Sequence, residues 1–257
     1  MIVNASKVFL ASVCLERNRW AEVNSPTIFV SEWFPRIEAD GFDGIELWQY
    51  HYTAADSVEQ EALLSRRLML PIFNSYCGFE EGSGNERDVV RQAILQLKPR
   101  AVKFNFGANE NMLREYEEVF CSWAESLPRE LTFLCECHGG TVLETPQRAK
   151  RLLKRCPKLD IGVIVHGFSI GDSELQGWFD ECGTAVRHIH ISARRKGLFR
   201  TPKQVADRMA LIRNFGFKGT FSIEFAEGAG QAGEQQETVY TNAKQDLQLL
   251  RKLMEQA

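Results

Sequence analysis

The sequence predicts a single-domain α/β protein with a (β/α)8 (TIM) barrel fold that spans residues 1–257. Eight short apolar segments with strand character alternate with eight amphipathic segments, at a repeat of about 30 residues. No linker rich in Pro, Ser or Gly divides the chain, and 257 residues suit one barrel of this kind.

The predicted strands begin near residues 7, 43, 69, 101, 131, 160, 186 and 219. They read KVFLASV, DGIELW, LMLPIFNSY, AVKFNFG, LTFLCECH, DIGVIVH, VRHIHIS and GTFSIEF. Because strands alternate with helical segments throughout, the pattern is typical of a (β/α)8 barrel.

The segments between the strands have helical spacing of apolar residues. In NSPTIFVSEWFPRIEADGF, Ser25 is the predicted N-cap, Pro26 the first helical residue, and the helix is expected to end near Gly41. In ETPQRAKRLLKRC, Thr145 and Pro146 have the same two roles. The other helical segments are SVEQEALLSRRL, GNERDVVRQAILQL, NENMLREYEEVFCSWAESL, GDSELQGWFDEC, TPKQVADRMALIRNFGF and TVYTNAKQDLQLLRKLMEQ. The stretch AEGAGQAGEQQE, after the last strand, is either a lid or phosphate loop at the catalytic mouth or a slack surface loop.

Composition limits the classes of function. A net charge of -3 and a pI near 6.0 give no general attraction to nucleic acid or anionic membrane, so neither is an expected partner. The first residues, MIVNASKVFLASVCLERN, lack a positively charged leader, and no apolar run approaches ~18 residues, so neither a signal peptide nor a membrane span is expected. Seven cysteines scattered through apolar runs predict reduced thiols in a cytoplasmic protein.

Four consecutive predicted strands, the fifth to the eighth, end in a residue that can bind a metal. These residues are Glu136, His166, His190 and Glu224. Strand alternation places each of them opposite its apolar neighbours, and TIM barrels carry their active sites at the carboxyl ends of the strands. A buried carboxylate or imidazole needs a partner to offset its desolvation, and one divalent cation would serve all four. The alternative is that each is an ordinary strand-end residue bonded to a helix N-terminus.

This donor set indicates a particular chemistry. Two carboxylates and two neutral imidazoles suit Mn²⁺, Zn²⁺, Co²⁺ or Fe²⁺ better than Ca²⁺ or Mg²⁺, so one such divalent metal ion is the expected cofactor. Its open positions would bind neighbouring oxygens of a small polyol or ketose and polarise the carbonyl. Glu136 and Glu224 would then move protons at the adjacent carbon.

Further inward-facing or strand-end residues are candidates for substrate binding. They are Glu46, Trp48, His51, Lys103, Asn105, His138, His188 and Arg194. Trp48 either forms an apolar wall against a sugar or fills the core, while His51 and His138 either shuttle protons and bind hydroxyls or bond locally. Lys103 either holds a carboxylate or phosphate or pairs with Glu46 inside the barrel. The segment ARRKGLFR places Arg194 near the mouth, as an anion-binding group or as solvated surface.

These segments resemble the xylose-isomerase-like barrels, the sugar phosphate isomerase/epimerase superfamily, over essentially the whole chain. The matching segments are GFDGIELW, LCECHGGTVLETPQRAKRLL, IGVIVH, HIHIS and GTFSIEF. The resemblance implies one divalent metal held by strands five to eight. Glu136 and Glu224 would match the family's two metal-bound, proton-transferring glutamates, and His190 its strand-seven histidine. Homodimers and homotetramers are usual in such a family and are the implied assembly.

Two departures from the family pattern bear on the chemistry. The family commonly has Asp at the strand-six ligand position and His three residues later, where this chain has His166 and Ser169. An imidazole in place of the carboxylate removes one negative charge and favours a softer, zinc-like ion. The family also often has an acidic residue three positions after the strand-seven histidine, where this chain has Ala193 and loses a possible substrate contact.

The leading functional hypothesis is a metal-dependent isomerase or epimerase of carbohydrate metabolism that acts on a small ketose or polyol-derived substrate. A dehydratase of an inosose or dehydroshikimate type would use the same proton abstraction and expel a hydroxyl. An abasic-site endonuclease needs more metal ligands than five histidines readily provide, and a basic face that a pI of 6.0 does not promise. A barrel that binds a sugar or metal without catalysis is the remaining alternative, because His166 replaces the usual Asp.

Overall fold

The structure, a computed structural model, describes residues 6–193 and 202–255. Its strands are β1 Val8–Ala11, β2 Ile45–Trp48, β3 Ile72–Asn74, β4 Ala101–Phe104, β5 Thr132–Cys137, β6 Ile161–Val165, β7 Val186–Ser192 and β8 Thr220–Phe225. Every strand is parallel to its neighbours, and β8 pairs with β1 to close the barrel. The predicted fold is confirmed, and each predicted strand lies where its apolar run occurs.

The helices alternate with the strands around the outside. In the described ranges they are α1 Phe34–Ala39, α2 Tyr50–Thr53, α3 Ser57–Ser65, α4 Gly84–Leu97, α5 Leu113–Glu125, α6 Pro146–Arg155, α7 Asp172–Cys182, α8 Pro202–Asn214 and α9 Gln236–Glu255. Short 3₁₀ turns cover Ser12–Leu15, Val30–Trp33, Arg67–Met69, Glu110–Met112 and Gly183–Ala185. No helix within residues 6–193 and 202–255 has both the length and the hydropathy needed to cross a bilayer.

The two predicted helix starts have different outcomes. Helix α6 begins at Pro146 as predicted, and Thr145 before it is extended, although its side chain makes no capping hydrogen bond. The predicted start at Ser25 and Pro26 is wrong, because α1 begins at Phe34. The reason is a tertiary contact: the Glu16 carboxylate accepts hydrogen bonds from the Thr27 amide at 2.8 Å and the Thr27 hydroxyl at 2.7 Å. That contact fixes the segment as a loop beside β1.

The barrel interior has an apolar floor beneath a polar layer. The floor is the buried cluster of Phe9, Ile72, Ala101, Leu134 and Ile164. All of them except Phe9 lie two positions before an inward polar residue. The pairs are Ile72 and Asn74, Ala101 and Lys103, Leu134 and Glu136, and Ile164 and His166. Since side chains two apart on a strand share a face, the polar layer lies directly above the floor, toward the carboxyl ends. The strand arrangement therefore places the polar groups at the end where such barrels bind their substrates.

The cysteines depart from the prediction of reduced thiols. Cys121 of α5 and Cys156, the residue after α6, form a disulfide with a Cα–Cα distance of 6.1 Å. The prediction is wrong for this pair, because packing of α5 beside α6 brings together two cysteines 35 residues apart. The other five cysteines are free and buried.

Candidate metal centre

The four predicted metal ligands converge at the carboxyl ends of β5 to β8. One ligand atom from each of Glu136, His166, His190 and Glu224 lies within 4.8 Å of all the others, and we call these residues the ligand quartet. The Oε1 of Glu136 is 3.0 Å from Nδ1 of His190 and 3.2 Å from Nε2 of His166. The same Nδ1 lies 3.6 Å from Oε1 of Glu224. The structure therefore brings together all the residues predicted from strand alternation.

The chemistry of the quartet fits a divalent cation. Glu136, His190 and Glu224 are buried, while His166 keeps 19% of its side chain exposed. The buried Oε2 of Glu224 has no hydrogen-bond partner among the described residues, and His166 Nδ1 is 3.8 Å away from it. A buried carboxylate with an unpaired oxygen is stabilised by a nearby cation, which its other oxygen, Oε1, is placed to bind beside Nδ1 of His190. Two imidazole nitrogens and two carboxylate oxygens are the donors that zinc and neighbouring transition metals prefer.

Lys103 of β4 lies against one end of the quartet. Its side chain is wholly buried, with Nζ 2.6 Å from Oε2 of Glu136 and 4.2 Å from the ring centroid of Tyr76. Burial alone would raise the pKa of Glu136, but the Lys103 ammonium, together with hydrogen bonds from His166 and His190, holds that pKa well below its usual range. Lys103 does pair inside the barrel, but with Glu136 and not with Glu46.

Glu46 of β2 supports His190 from the opposite side of the ring. Its Oε2 lies 3.1 Å from Nε2 of His190 and 3.4 Å from Nε2 of His188, and Asn74 donates a hydrogen bond to its Oε1 at 3.0 Å. Burial opposes a charge on His190, but Glu46 and Glu224 raise the pKa of His190 well above its ordinary value. A carboxylate behind a ligating histidine fixes the ring and its tautomer, so Glu46 is placed to orient His190.

A cavity of about 660 Å³ opens above the quartet. Glu136, His166 and Glu224 line it, together with Asn105 and His138 from the predicted substrate-binding set. Sequence reasoning missed four aromatic lining residues and two aliphatic ones: Trp20, Tyr76, Trp178, Phe225, Val165 and Ile170. Trp20 could have been found from its position in the sequence. It lies in the loop after β1, and the loops that follow barrel strands form the active-site mouth.

Trp20 and Phe225 form an aromatic wall of this cavity. Their ring centroids are 5.9 Å apart, and the Trp20 side chain is 59% exposed. Arg19 donates hydrogen bonds to two backbone carbonyls after β1 and to both carboxylate oxygens of Glu234, at 2.8 and 2.5 Å. A Cβ at Gly230 would lie 2.4 Å from the Trp20 ring, so this position requires glycine. The stretch after β8 is therefore anchored to the loop after β1.

The remaining predicted substrate-binding residues that the structure describes are not part of the cavity lining. Trp48 is 1% exposed and packs against Ala11 and Val13, while His188 is buried between the hydroxyls of Thr220 and Ser222, at 2.6 and 3.0 Å. Arg194, with its neighbours in ARRKGLFR, lies outside the described residues.

His51 belongs to a buried network under the loop after β1. Its Nδ1 is 2.8 Å from the Ser12 hydroxyl and its Nε2 is 2.9 Å from Oε2 of Glu16. Burial would raise the pKa of Glu16, but hydrogen bonds from His51, Thr27 and Asn18 lower it to about 2. Ser12 in turn accepts a hydrogen bond from a β2 amide, so this network fixes the loop that carries Trp20 to the barrel.

Comparison with known proteins establishes the fold. Models of sequence families give no match, and neither do curated protein sequences. Among solved structures, a xylose isomerase-like TIM barrel protein from Mycobacterium smegmatis in complex with magnesium aligns with a TM-score of 0.62 at 12% identity, over 97% of this chain and 98% of that one. The chain has the xylose-isomerase-like TIM-barrel fold.

Two enzymes with this xylose-isomerase-like fold are also similar. The probable 3-DHS dehydratase AsbF of Bacillus anthracis aligns with a TM-score of 0.69 at 15% identity, over 95% of this chain and 98% of that one. D-psicose 3-epimerase of Clostridium cellulolyticum H10 aligns with a TM-score of 0.68 at 10% identity, over 96% and 99%. The resemblance predicted from the sequence is confirmed at the level of the fold.

Proposed function

We propose that the protein is a metal-dependent isomerase or epimerase that transfers a proton at the carbon next to a carbonyl of a small ketose or polyol-derived substrate. The observation that carries this proposal is the Oε2 of Glu224. It is buried beside the quartet, has no hydrogen-bond partner among the described residues, and belongs to a residue that lines the open cavity. A carboxylate oxygen in that position is suited to taking a proton from a bound substrate.

The quartet would hold the cation, which supplies Lewis-acid polarisation of the substrate carbonyl when it is bound. The two glutamates differ in whether a carboxylate oxygen is left to accept a substrate proton. Both oxygens of Glu136 are engaged, Oε2 by Lys103 and Oε1 by the two histidines, whereas Oε2 of Glu224 is available. We therefore assign the proton transfer first to Glu224 and the anchoring role to Glu136.

Other lining residues are suited to a polyhydroxylated substrate. His138 Nδ1 lies 2.8 Å from the Gly139 carbonyl, which makes that nitrogen the donor. Nε2, which is 3.8 Å from Oε2 of Glu136, can then accept a hydrogen bond from a substrate hydroxyl. Asn105 adds an amide with both donor and acceptor atoms. The aromatic wall offers a flat apolar surface to the C–H face of a sugar. The apolar floor keeps water from reaching the quartet from below.

One observation favours a dehydratase as the second candidate. Epimerisation returns a proton to the opposite face of the carbon and is served by two proton-carrying groups. Elimination of a hydroxyl needs a single base that abstracts the proton, with the cation or a nearby acid assisting the leaving group. The engagement of both Glu136 oxygens leaves Glu224 as the carboxylate of the quartet with a free oxygen, which suits the lyase reaction.

Metal analysis followed by solvent-deuterium exchange tests the proposal. Purified protein loaded with Zn²⁺ or Mn²⁺ is incubated in D₂O with ketoses, keto acids and inososes, and deuterium incorporation or loss of water is followed by mass spectrometry. We expect exchange into one substrate class, abolished in Glu224→Gln and retained in Glu144→Gln, which changes a carboxylate at the rim of the same cavity. Protein that cannot be loaded with metal, or loaded protein without exchange on any of these substrates, contradicts the proposal.

A further inference from the structure

Lys103 is a lysine that is buried inside the barrel and pairs with a member of the quartet. Its ammonium is wholly shielded from solvent, contacts Oε2 of Glu136 at 2.6 Å, and is covered by the Tyr76 ring. An ammonium is a strongly hydrated group, so its burial requires a compensating anion nearby. Glu136 supplies that anion, and its pairing with Lys103 competes with its use as a metal ligand.

The charges of the quartet and Lys103 show how strong this competition is. In the form that binds a metal, in which both imidazoles are neutral, the two carboxylates contribute −2 and the ammonium +1, which leaves −1. A carboxylate at position 166 would restore one further negative charge, but this chain has a histidine there. Lys103 thus compensates half of the negative charge that the quartet offers to a divalent ion.

We propose that Lys103 is an internal counter-ion that stabilises the metal-free site and lowers its affinity for a divalent cation. Removal of its charge strengthens metal binding by about tenfold or more, because repulsion between an ammonium and a doubly charged ion a few ångströms apart is weakly screened in a buried site. The inference rests on the proposed function only in requiring that the quartet binds a divalent cation.

Lys103 also holds Glu136 in place, which would act in the opposite direction. Loss of an orienting hydrogen bond behind a metal ligand commonly weakens binding about 10- to 100-fold. In this site, however, the ring nitrogens of His190 and His166 lie 3.0 and 3.2 Å from Oε1 of Glu136, so a cation bound to both imidazoles would also bind and orient that oxygen. The orientation of Glu136 therefore does not depend on Lys103 alone, and the charge effect dominates.

Two substitutions separate charge from orientation. Lys103→Gln keeps an N–H donor for Oε2 of Glu136 but removes the charge, while Lys103→Met removes both. Lys203→Gln makes the same change on an exposed lysine of α8 and is the matched control. Zn²⁺ affinity is measured at one fixed pH by competition with a chromogenic chelator, and melting temperature is measured with and without Zn²⁺.

We expect Lys103→Gln to bind Zn²⁺ about tenfold more tightly than the parent, and Lys203→Gln to bind it equally. The metal-free Lys103→Gln protein should melt at a lower temperature than the parent, and Zn²⁺ should raise its melting temperature by more. Unchanged or weaker binding in Lys103→Gln overturns the inference, and if Lys103→Met does not fold, Lys103→Gln alone decides. If neither parent nor variant binds Zn²⁺, the metal-dependent function and this inference both fail; if both bind equally, only this inference fails.

Discussion

Glu46 Oε2 lies 3.1 Å from Nε2 of His190, and neither side chain has contact with solvent. The other ring nitrogen of His190 faces Glu136 and Glu224, so a single imidazole connects a supporting carboxylate on β2 with the quartet. A supporting carboxylate at Nε2 and two quartet carboxylates near Nδ1 are the arrangement expected when Nδ1 binds a metal and Nε2 donates its proton to the supporting carboxylate.

Replacement of Glu46 by Gln should weaken Zn²⁺ binding about tenfold, because the neutral amide stabilises the ligating tautomer of His190 less well than a carboxylate. Chelator competition measures the affinity. The control is Glu38→Gln, which removes an exposed carboxylate paired with Arg66. Equal affinity in Glu46→Gln and the parent would show that Glu46 does not support the quartet.

His166→Asp should move metal preference away from Zn²⁺ toward Mn²⁺, because it replaces a nitrogen donor by a harder oxygen donor and adds a negative charge. The measured quantity is the ratio of Mn²⁺ to Zn²⁺ affinity, and we expect it to rise about tenfold or more. Ser169→Asp adds the same charge to the cavity lining outside the quartet. A rise of equal size in both variants would assign the effect to charge alone and not to ligand identity.

Glu16→Gln should lower the free energy of unfolding by about 1–3 kcal/mol at neutral pH, because an ionised acceptor of several buried hydrogen bonds is lost. The pKa of Glu16 is lowered from its ordinary value of 4.5 to about 2. The stabilisation by Glu16 is therefore complete above about pH 4.5 and is lost as the pH falls toward 2. Urea unfolding at pH 7, 5 and 3 should show the difference between parent and variant shrinking only at the lowest pH.

The control for that series is Glu22→Gln, an exposed position on the same loop. It should leave the free energy of unfolding within about 0.5 kcal/mol of the parent at each pH. A difference for Glu16→Gln that stays constant down to pH 3 and below would contradict the assignment of an ionised, hydrogen-bonded Glu16.

The disulfide can be tested by counting the free thiols of the protein. Denatured, unreduced protein should titrate with five thiols per chain and reduced protein with seven. Reduction, or replacement of Cys121 and Cys156 by Ser, should lower the free energy of unfolding by about 3–4 kcal/mol, as expected for closing a loop of this size. Seven thiols before reduction would show that Cys121 and Cys156 are not bonded.

Trp20→Ala should raise KM for the substrate by about tenfold and leave Zn²⁺ affinity unchanged, because Trp20 lines the cavity where the proposed substrate would bind and is not a member of the quartet. Trp20→Phe keeps an aromatic face against Phe225 and should restore most of the affinity. A fall in kcat without a change in KM would place the role of Trp20 in loop closure instead of binding.

The alternation of strand and helical segments was sufficient to predict the fold. The alternation of inward and outward side chains along each strand was sufficient to predict that the four quartet residues face the barrel interior. The partner of Lys103 could not be predicted in this way. Glu46 and Glu136 are both inward, and the choice between them depends on the strand register around the barrel.

Local sequence patterns gave wrong or missing predictions where a contact between distant segments determines the structure. Ser25 followed by Pro26 is a valid helix start, but hydrogen bonding of Thr27 to Glu16 moves the start of α1 to Phe34. Trp20 is an ordinary loop residue by sequence, and only the packing of the loops after β1 and β8 places it at the cavity. Both cases depend on contacts between segments that are distant in the sequence, which helix and strand periodicity does not reveal.

The apolar floor has a consequence for the order of events in the proposed reaction. Phe9, Ile72, Ala101, Leu134 and Ile164 close the barrel below the quartet, and the cavity opens above it. Metal, substrate and product would therefore all use the same opening. A bound substrate would obstruct exchange of the metal beneath it, and product would have to leave before the next molecule arrived.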